Sequence, residues 1–101
     1  MDISNLLRSR VRKELFKLYF TNPDSEFYLR ELERMLSIPV SMIRKELVRL
    51  EKDGIFTSHK KGNLVYYHSN KAYPLFNELK SIVSKTIGVQ GLLEEMVDSS
   101  F

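Results

Sequence analysis

The chain has 101 residues, 43% of them hydrophobic and 29% charged, with 16 Lys and Arg against 13 Asp and Glu for a formal net charge of +3. That length supports one hydrophobic core and not two. Because it has no Cys, disulfide scaffolds, thiolate metal sites and cysteine nucleophiles are all excluded.

Ile3, Leu7, Val11, Leu15 and Leu18 recur at three- and four-residue steps, with Leu6, Phe16, Tyr19 and Phe20 beside them. This pattern predicts a first helix from about residue 5 to about residue 21, with an apolar stripe wide enough for two contacts. Asn22-Pro23-Asp24-Ser25 stops it, since Pro cannot continue the ladder and Asn, Asp and Ser favour turns. Phe27 and Tyr28 suit a short edge strand. Leu29, Leu32, Met35 and Leu36 then mark a helix of about two turns beginning near residue 29. Ser37-Ile38-Pro39 breaks that helix, and a third follows over about 39–53. Pro39 is expected at its first position, where a missing amide proton is harmless. Val40, Ile43, Leu47 and Leu50 form its buried stripe, and Gly54 sits where a left-handed cap closes it.

From Ile55 the pattern turns to β. Ile55–Lys60 and Leu64–Ser69 flank Lys61-Gly62-Asn63, which predicts a hairpin with a basic tip over about 55–69. Pro74 opens a last helical region, 74–101, with Leu75, Leu79, Ile82 and Val83 on one face. Gly88 and Gly91 kink it before Leu92, Leu93, Met96 and Val97 resume the apolar pattern. The order is helix, short strand, helix, tight turn, helix, hairpin, helix. The expected fold is therefore mainly α with a β-hairpin: a winged helix-turn-helix in one domain over 1–101, with a three-helix core, a wing and an extra C-terminal helix.

Charge is unevenly distributed along these elements. Residues 1–20 carry five cations against Asp2 and Glu14, and residues 21–36 carry Arg30 and Arg34 against four acids. Residues 37–87 hold nine Lys and Arg against four acids, while the last fourteen hold Glu94, Glu95 and Asp98 with no base. A basic middle is the electrostatic footprint of nucleic-acid binding. On a 100° wheel Ser41, Lys45, Val48 and Lys52 point away from the core, flanked by Met42, Arg44 and Arg49. Ser41, Met42, Arg44 and Lys45 lie in the N-terminal turns that enter the major groove in helix-turn-helix proteins, where Arg and Lys can donate to guanine O6 and N7. Arg49 and Lys52, further on, are placed for phosphates. Lys60, Lys61 and Asn63 put donors on the wing tip, for the backbone or the minor groove. Tyr28 and Arg30, at the start of the second helix, are secondary phosphate candidates. Arg8, Arg10, Arg12 and Lys13 read as a solvated face of the first helix.

Enzymatic signatures are missing. The sequence has no P-loop, no dinucleotide fingerprint and no nucleophile elbow. Glu94 and Glu95 are adjacent and diverge on a helix. With a turn centred on Gly62, His59 and His68 fall about three residues out of register and do not converge on a metal. Neither enzymatic activity nor a cofactor is expected. No apolar run reaches the roughly 18 residues of a membrane span, and Met1–Asn5 lacks the basic-then-apolar pattern of a signal peptide. The expectation is a cytoplasmic protein without a membrane partner.

The segments Asn22–Leu32, Ser41–Leu47, Asp53-Gly54-Ile55 and Gly62–Tyr67 resemble the winged-helix transcriptional regulators of the ArsR-like group. More narrowly, they are similar to winged-helix domains that occur alone or ahead of a small nucleotidyltransferase domain. The resemblance covers about residues 6–97 and implies a sequence-specific double-stranded DNA-binding repressor or activator, dimerising through its first and last helices. The chain departs from the group in lacking the Cys and His ligands of metal-sensing members. It also has no Gly-Ser followed by paired aspartates, so nucleotidyltransferase activity is not carried over. Independently of the resemblance, the wide stripe of the first helix and the apolar tail at Leu92, Leu93, Met96 and Val97 point to a homodimer. The alternative reading is a winged-helix adapter for protein or structured RNA, with exposed Val48 and the apolar tail as its surface.

Overall fold

In the computed structural model, which describes residues 9–86, helix α1 spans Arg10–Thr21. Ser9 caps its start at Arg10, the Ser9 hydroxyl accepting the Arg12 amide at 3.3 Å. The expected stop at Asn22-Pro23 is observed. Strand β1, Glu26–Tyr28, leads directly into α2, Leu29–Leu36, whose Glu31 carboxylate accepts the Tyr28 amide at 3.2 Å. Helix α3 spans Val40–Lys52.

The turn between α2 and α3 is fixed by its own chemistry. Ser37 adopts a left-handed conformation, φ 55° and ψ 42°, which carries its amide onto the Glu33 carbonyl at 2.9 Å. The Glu33 carboxylate then accepts the first α3 amide, from Val40, at 3.0 Å. Pro39 stands one place earlier than expected, as the N-cap residue. Its carbonyl accepts the Met42 and Ile43 amides, and as the cap it has no amide proton of its own to satisfy. A left-handed non-glycine residue costs about 1–2 kcal/mol. Replacing Ser37 with Gly removes that cost but adds freedom to the unfolded chain. Ser37→Gly is therefore expected to raise unfolding free energy by about 0.5 kcal/mol, and Ser37→Val to lower it by about 1–2 kcal/mol, in urea titrations.

At its other end α3 closes in a Schellman arrangement. Gly54, with φ 82°, donates to the Glu51 carbonyl, and Ile55 donates to the Leu50 carbonyl, each at 3.0 Å. Strands β2, Phe56–Lys61, and β3, Leu64–Ser69, follow. They join through Gly62-Asn63, with Gly62 at φ 59°. The antiparallel sheet has the order β1-β3-β2. Registers run Glu26↔His68 and Tyr28↔Tyr66 on one side, and Phe56↔Ser69 and His59↔Tyr66 on the other. The last helix, α4, covers residues 76–86.

The core sits between the helices and the inner sheet face. Val11, Leu15, Phe16, Tyr19 and Phe20 from α1 meet Leu32, Ile38, Ile43, Leu47, Leu50, Ile55, Phe56 and Tyr67. Phe56 takes the Tyr19 ring edge-on at 4.7 Å and stacks on Phe16 at 6.3 Å. The buried Tyr19 hydroxyl donates to the Tyr67 carbonyl at 2.8 Å, tying α1 to the central strand. Burial, with the nearby charge of Glu31, holds that phenol well above its usual range.

Two core assignments shift. Val40 is only half-buried, and its place in the inward arc of α3 is taken by Glu46. In α4, Leu79 and Val83 are buried as expected and Ile82 half-buried, but Leu75 is exposed. Helical phase begins one residue later, at Phe76, which packs against Phe20 at 5.4 Å. Residues 5–8 of the expected first helix, and Gly88, Gly91, Leu92, Leu93, Met96 and Val97, lie outside the described residues.

Candidate nucleic-acid interface

Helix α3 is anchored by Ile43, Leu47 and Leu50, all at 0% exposure, and that anchoring decides what its other side presents. Ser41, Met42, Arg44, Lys45, Val48, Arg49 and Lys52 are all exposed. Between residues 40 and 50 the single acid is Glu46. It is 7% exposed and turned toward α1, where the Arg12 guanidinium donates to its carboxylate. The outward face over those turns is thus purely cationic, polar and aliphatic. Arg49 and Lys52 occupy the last turn, where positive charge also complements the helix dipole.

Beside this face runs an open groove of about 580 Å³, lined by Leu29, Val40, Ser41, Arg44, Lys45, Val48 and Arg49. It brings four of the expected site residues together with aliphatic side chains from two helices. The Arg44 charge partly opposes the rise that burial and Glu51 impose on the Tyr67 phenol of the wing. Met42, on the far flank of α3, is exposed outside the groove lining.

The wing tip is more constrained than its composition suggests. Lys60 and Lys61 are adjacent on β2 and point to opposite faces, while Asn63 stands exposed in the two-residue turn. Lys61 Nζ lies 5.1 Å from the centroid of the Tyr66 ring and 2.5 Å from Glu26 Oε1. Glu26 Oε2 is 3.1 Å from His59 Nε2. A wing cation predicted to meet DNA is therefore shared with a carboxylate on β1. Tyr28 packs edge-on against Tyr66 at 5.6 Å, half-buried at the junction of β1 and α2, and Arg30 is exposed one residue into α2.

The hydrogen bond from Lys61 holds the Glu26 carboxyl below its usual range, with the charges of Lys61, His59 and His68 adding to it, and the same bond raises Lys61. For a depressed carboxylate, the stabilisation is present above the ordinary Glu range and is lost as pH falls through the lowered value. For a raised amine, it is present below the ordinary Lys range and is lost as pH rises through the raised one. The pair accordingly persists across the neutral range. In a carbon-detected NMR titration, Glu26 is expected to titrate below the ordinary glutamate range, and Lys61→Ala is expected to move it upward.

The histidines correct an expectation. The turn is centred between Gly62 and Asn63, so His59 pairs with Tyr66 and His68 with Thr57. The offset between the two histidines is two residues and not three. A change of one residue in strand register switches faces, and the two rings lie side by side at 5.2 Å. They border a cleft of about 440 Å³ that also takes in Asp24, Glu26 and Lys71. No group of three metal-ligating side chains that could hold an ion occurs among the described residues.

A solved chain described as a "possible transcriptional regulator from Methanosarcina mazei Go1" is similar to this one, with a TM-score of 0.61 at 15% sequence identity, over 95% of this chain and 83% of that chain. No protein-family model matches the sequence, and no curated protein matches it. None of the described helices is long and apolar enough to cross a membrane. A helix-turn-helix at α2–α3, followed at once by the β2–β3 hairpin and matched across nearly the whole chain by that neighbour, is a winged helix-turn-helix fold.

Proposed function

We propose that this protein is a sequence-specific regulator of transcription that binds double-stranded DNA as a homodimer, without enzymatic activity, in the manner of the ArsR-like winged-helix proteins it resembles. The observation that supports this most is the outward face of α3, from which acids are absent between residues 40 and 50 once Glu46 is turned inward. Ser41, Met42, Arg44 and Lys45 enter the major groove, and Arg49 meets phosphate. Lys60, Lys61 and Asn63 lie along the backbone or the minor groove. Tyr28 and Arg30 flank the start of α2, where backbone amides favour a phosphate.

Salt separates this reading from a protein-binding adapter. Each phosphate neutralised contributes about −0.9 to the slope of log affinity against log salt concentration. Fluorescence anisotropy with a labelled duplex, between about 50 and 200 mM KCl, is expected to give a slope of several units. A flat dependence would mean that the contacts are not to phosphate.

A further inference from the structure

The groove beside α3 has an aliphatic floor and a cationic rim, and we infer that it seats the C5-methyl group of a thymine in the major groove, with Val48 as the residue that confers specificity at that base pair. The inference rests on the duplex-DNA reading above. Val48 is 51% exposed in the middle of the outward face, with Arg44, Lys45 and Lys52 one helical turn away. It adds nothing to the core, whose side of α3 is already filled. Leu29, at the start of α2, and Val40, in the first turn of α3, complete the floor, while Arg44, Lys45 and Arg49 stand around it.

An occupant must set a small apolar group among negative charges. The major groove does this where a thymine methyl projects between two rows of phosphates, in a channel that admits a helix. The other bases place polar groups at that edge: an amino donor on cytosine or adenine, and acceptors on guanine. Against the three aliphatic side chains these polar groups find no hydrogen-bond partner, the polar lining being Ser41, Arg44, Lys45 and Arg49, and a polar group desolvated without one is penalised. Of the cations around the floor Arg49 meets phosphate, while Arg44 and Lys45 reach neighbouring base edges, so charge and polarity select the same ligand.

The test begins with the full chain and a random duplex library, from which bound sequences are enriched. In the enriched site each thymine is then replaced by deoxyuridine, which removes the methyl group alone. One base pair per half-site is expected to lose affinity about fourfold, the equivalent of burying one methyl group. Val48→Ala is expected to bind the thymine and deoxyuridine duplexes equally while keeping its salt dependence. Because Val48 is exposed, this variant is expected to retain the helical circular dichroism of the parent. An enriched site with no methyl-sensitive position, or a sensitivity that survives in Val48→Ala, overturns this inference and leaves the DNA reading intact. A library with no enriched duplex overturns both.

Discussion

Arg12→Ala is expected to destabilise the fold by about 3 kcal/mol in urea unfolding, more than any exposed cation in the chain would lose by the same change. Arg12 projects from α1 onto Glu46, which occupies the inward arc of α3 between Ile43 and Leu47. The two side chains retain 17% and 9% of their exposure. Surface ion pairs contribute roughly 0–1 kcal/mol, because water screens them. Here most of that water is excluded, and removing the arginine strands a carboxylate among apolar neighbours. Fully buried pairs lose about 3–5 kcal/mol when one partner goes, and the residual exposure of this pair sets the lower end of that range. Replacing both partners together, Arg12→Leu with Glu46→Leu, removes charge and counter-charge at once and is expected to lose less than Arg12→Ala alone. A double variant whose loss equals the sum of the two single losses would show that the two side chains act independently. The pair also links α1 to the helix proposed to read DNA, so Arg12→Ala should weaken DNA binding in a protein that is still folded at low temperature.

The paired substitution Arg44→Ala with Lys45→Ala should lower affinity for the selected duplex by about 3 kcal/mol, roughly a hundredfold, and affinity for unrelated duplexes by much less. Both side chains are exposed and face away from the core, and alanine is the strongest helix former, so folding should be unaffected. Phosphate contacts position a protein without reading sequence, whereas a bidentate contact to a base edge is worth about 1–3 kcal/mol of discrimination. Competition binding at fixed salt distinguishes the two. Parallel losses on selected and unrelated duplexes would assign Arg44 and Lys45 to the backbone and move base recognition elsewhere on α3.

Local periodicity made the helices legible, along with the turn before α3, the hairpin after it and the exposed basic face. What escaped depended on contacts between elements. Glu46 lies in the same helical arc as Ile43, Leu47 and Leu50, so an acid demanding a buried cation could have been read there. Choosing Arg12 over Arg8, Arg10 or Lys13 required the crossing of α1 over α3. Composition alone places Lys61 in the wing turn, yet it pairs with Leu64 in the ladder, and that single step brings the two histidines onto one face. The restraint of Lys61 by Glu26 arises because β1 and β2 flank β3 in the sheet, and neither strand carries a local mark of that neighbourhood. Leu29 reaches the α3 groove from another helix, so the floor beneath Val48 is tertiary in origin. At α4 the miss was one of phase, with Phe76 inward where Leu75 was expected.

The central claim, that α3 reads base sequence in duplex DNA, is tested most directly by selection and sequencing from a random duplex library at near-physiological salt. An enriched inverted repeat, with half-sites about one helical turn apart, is the predicted result, since a two-fold dimer presents two copies of α3 to successive major grooves. Retention of duplexes without enrichment of any sequence, or no retention at all, would contradict it.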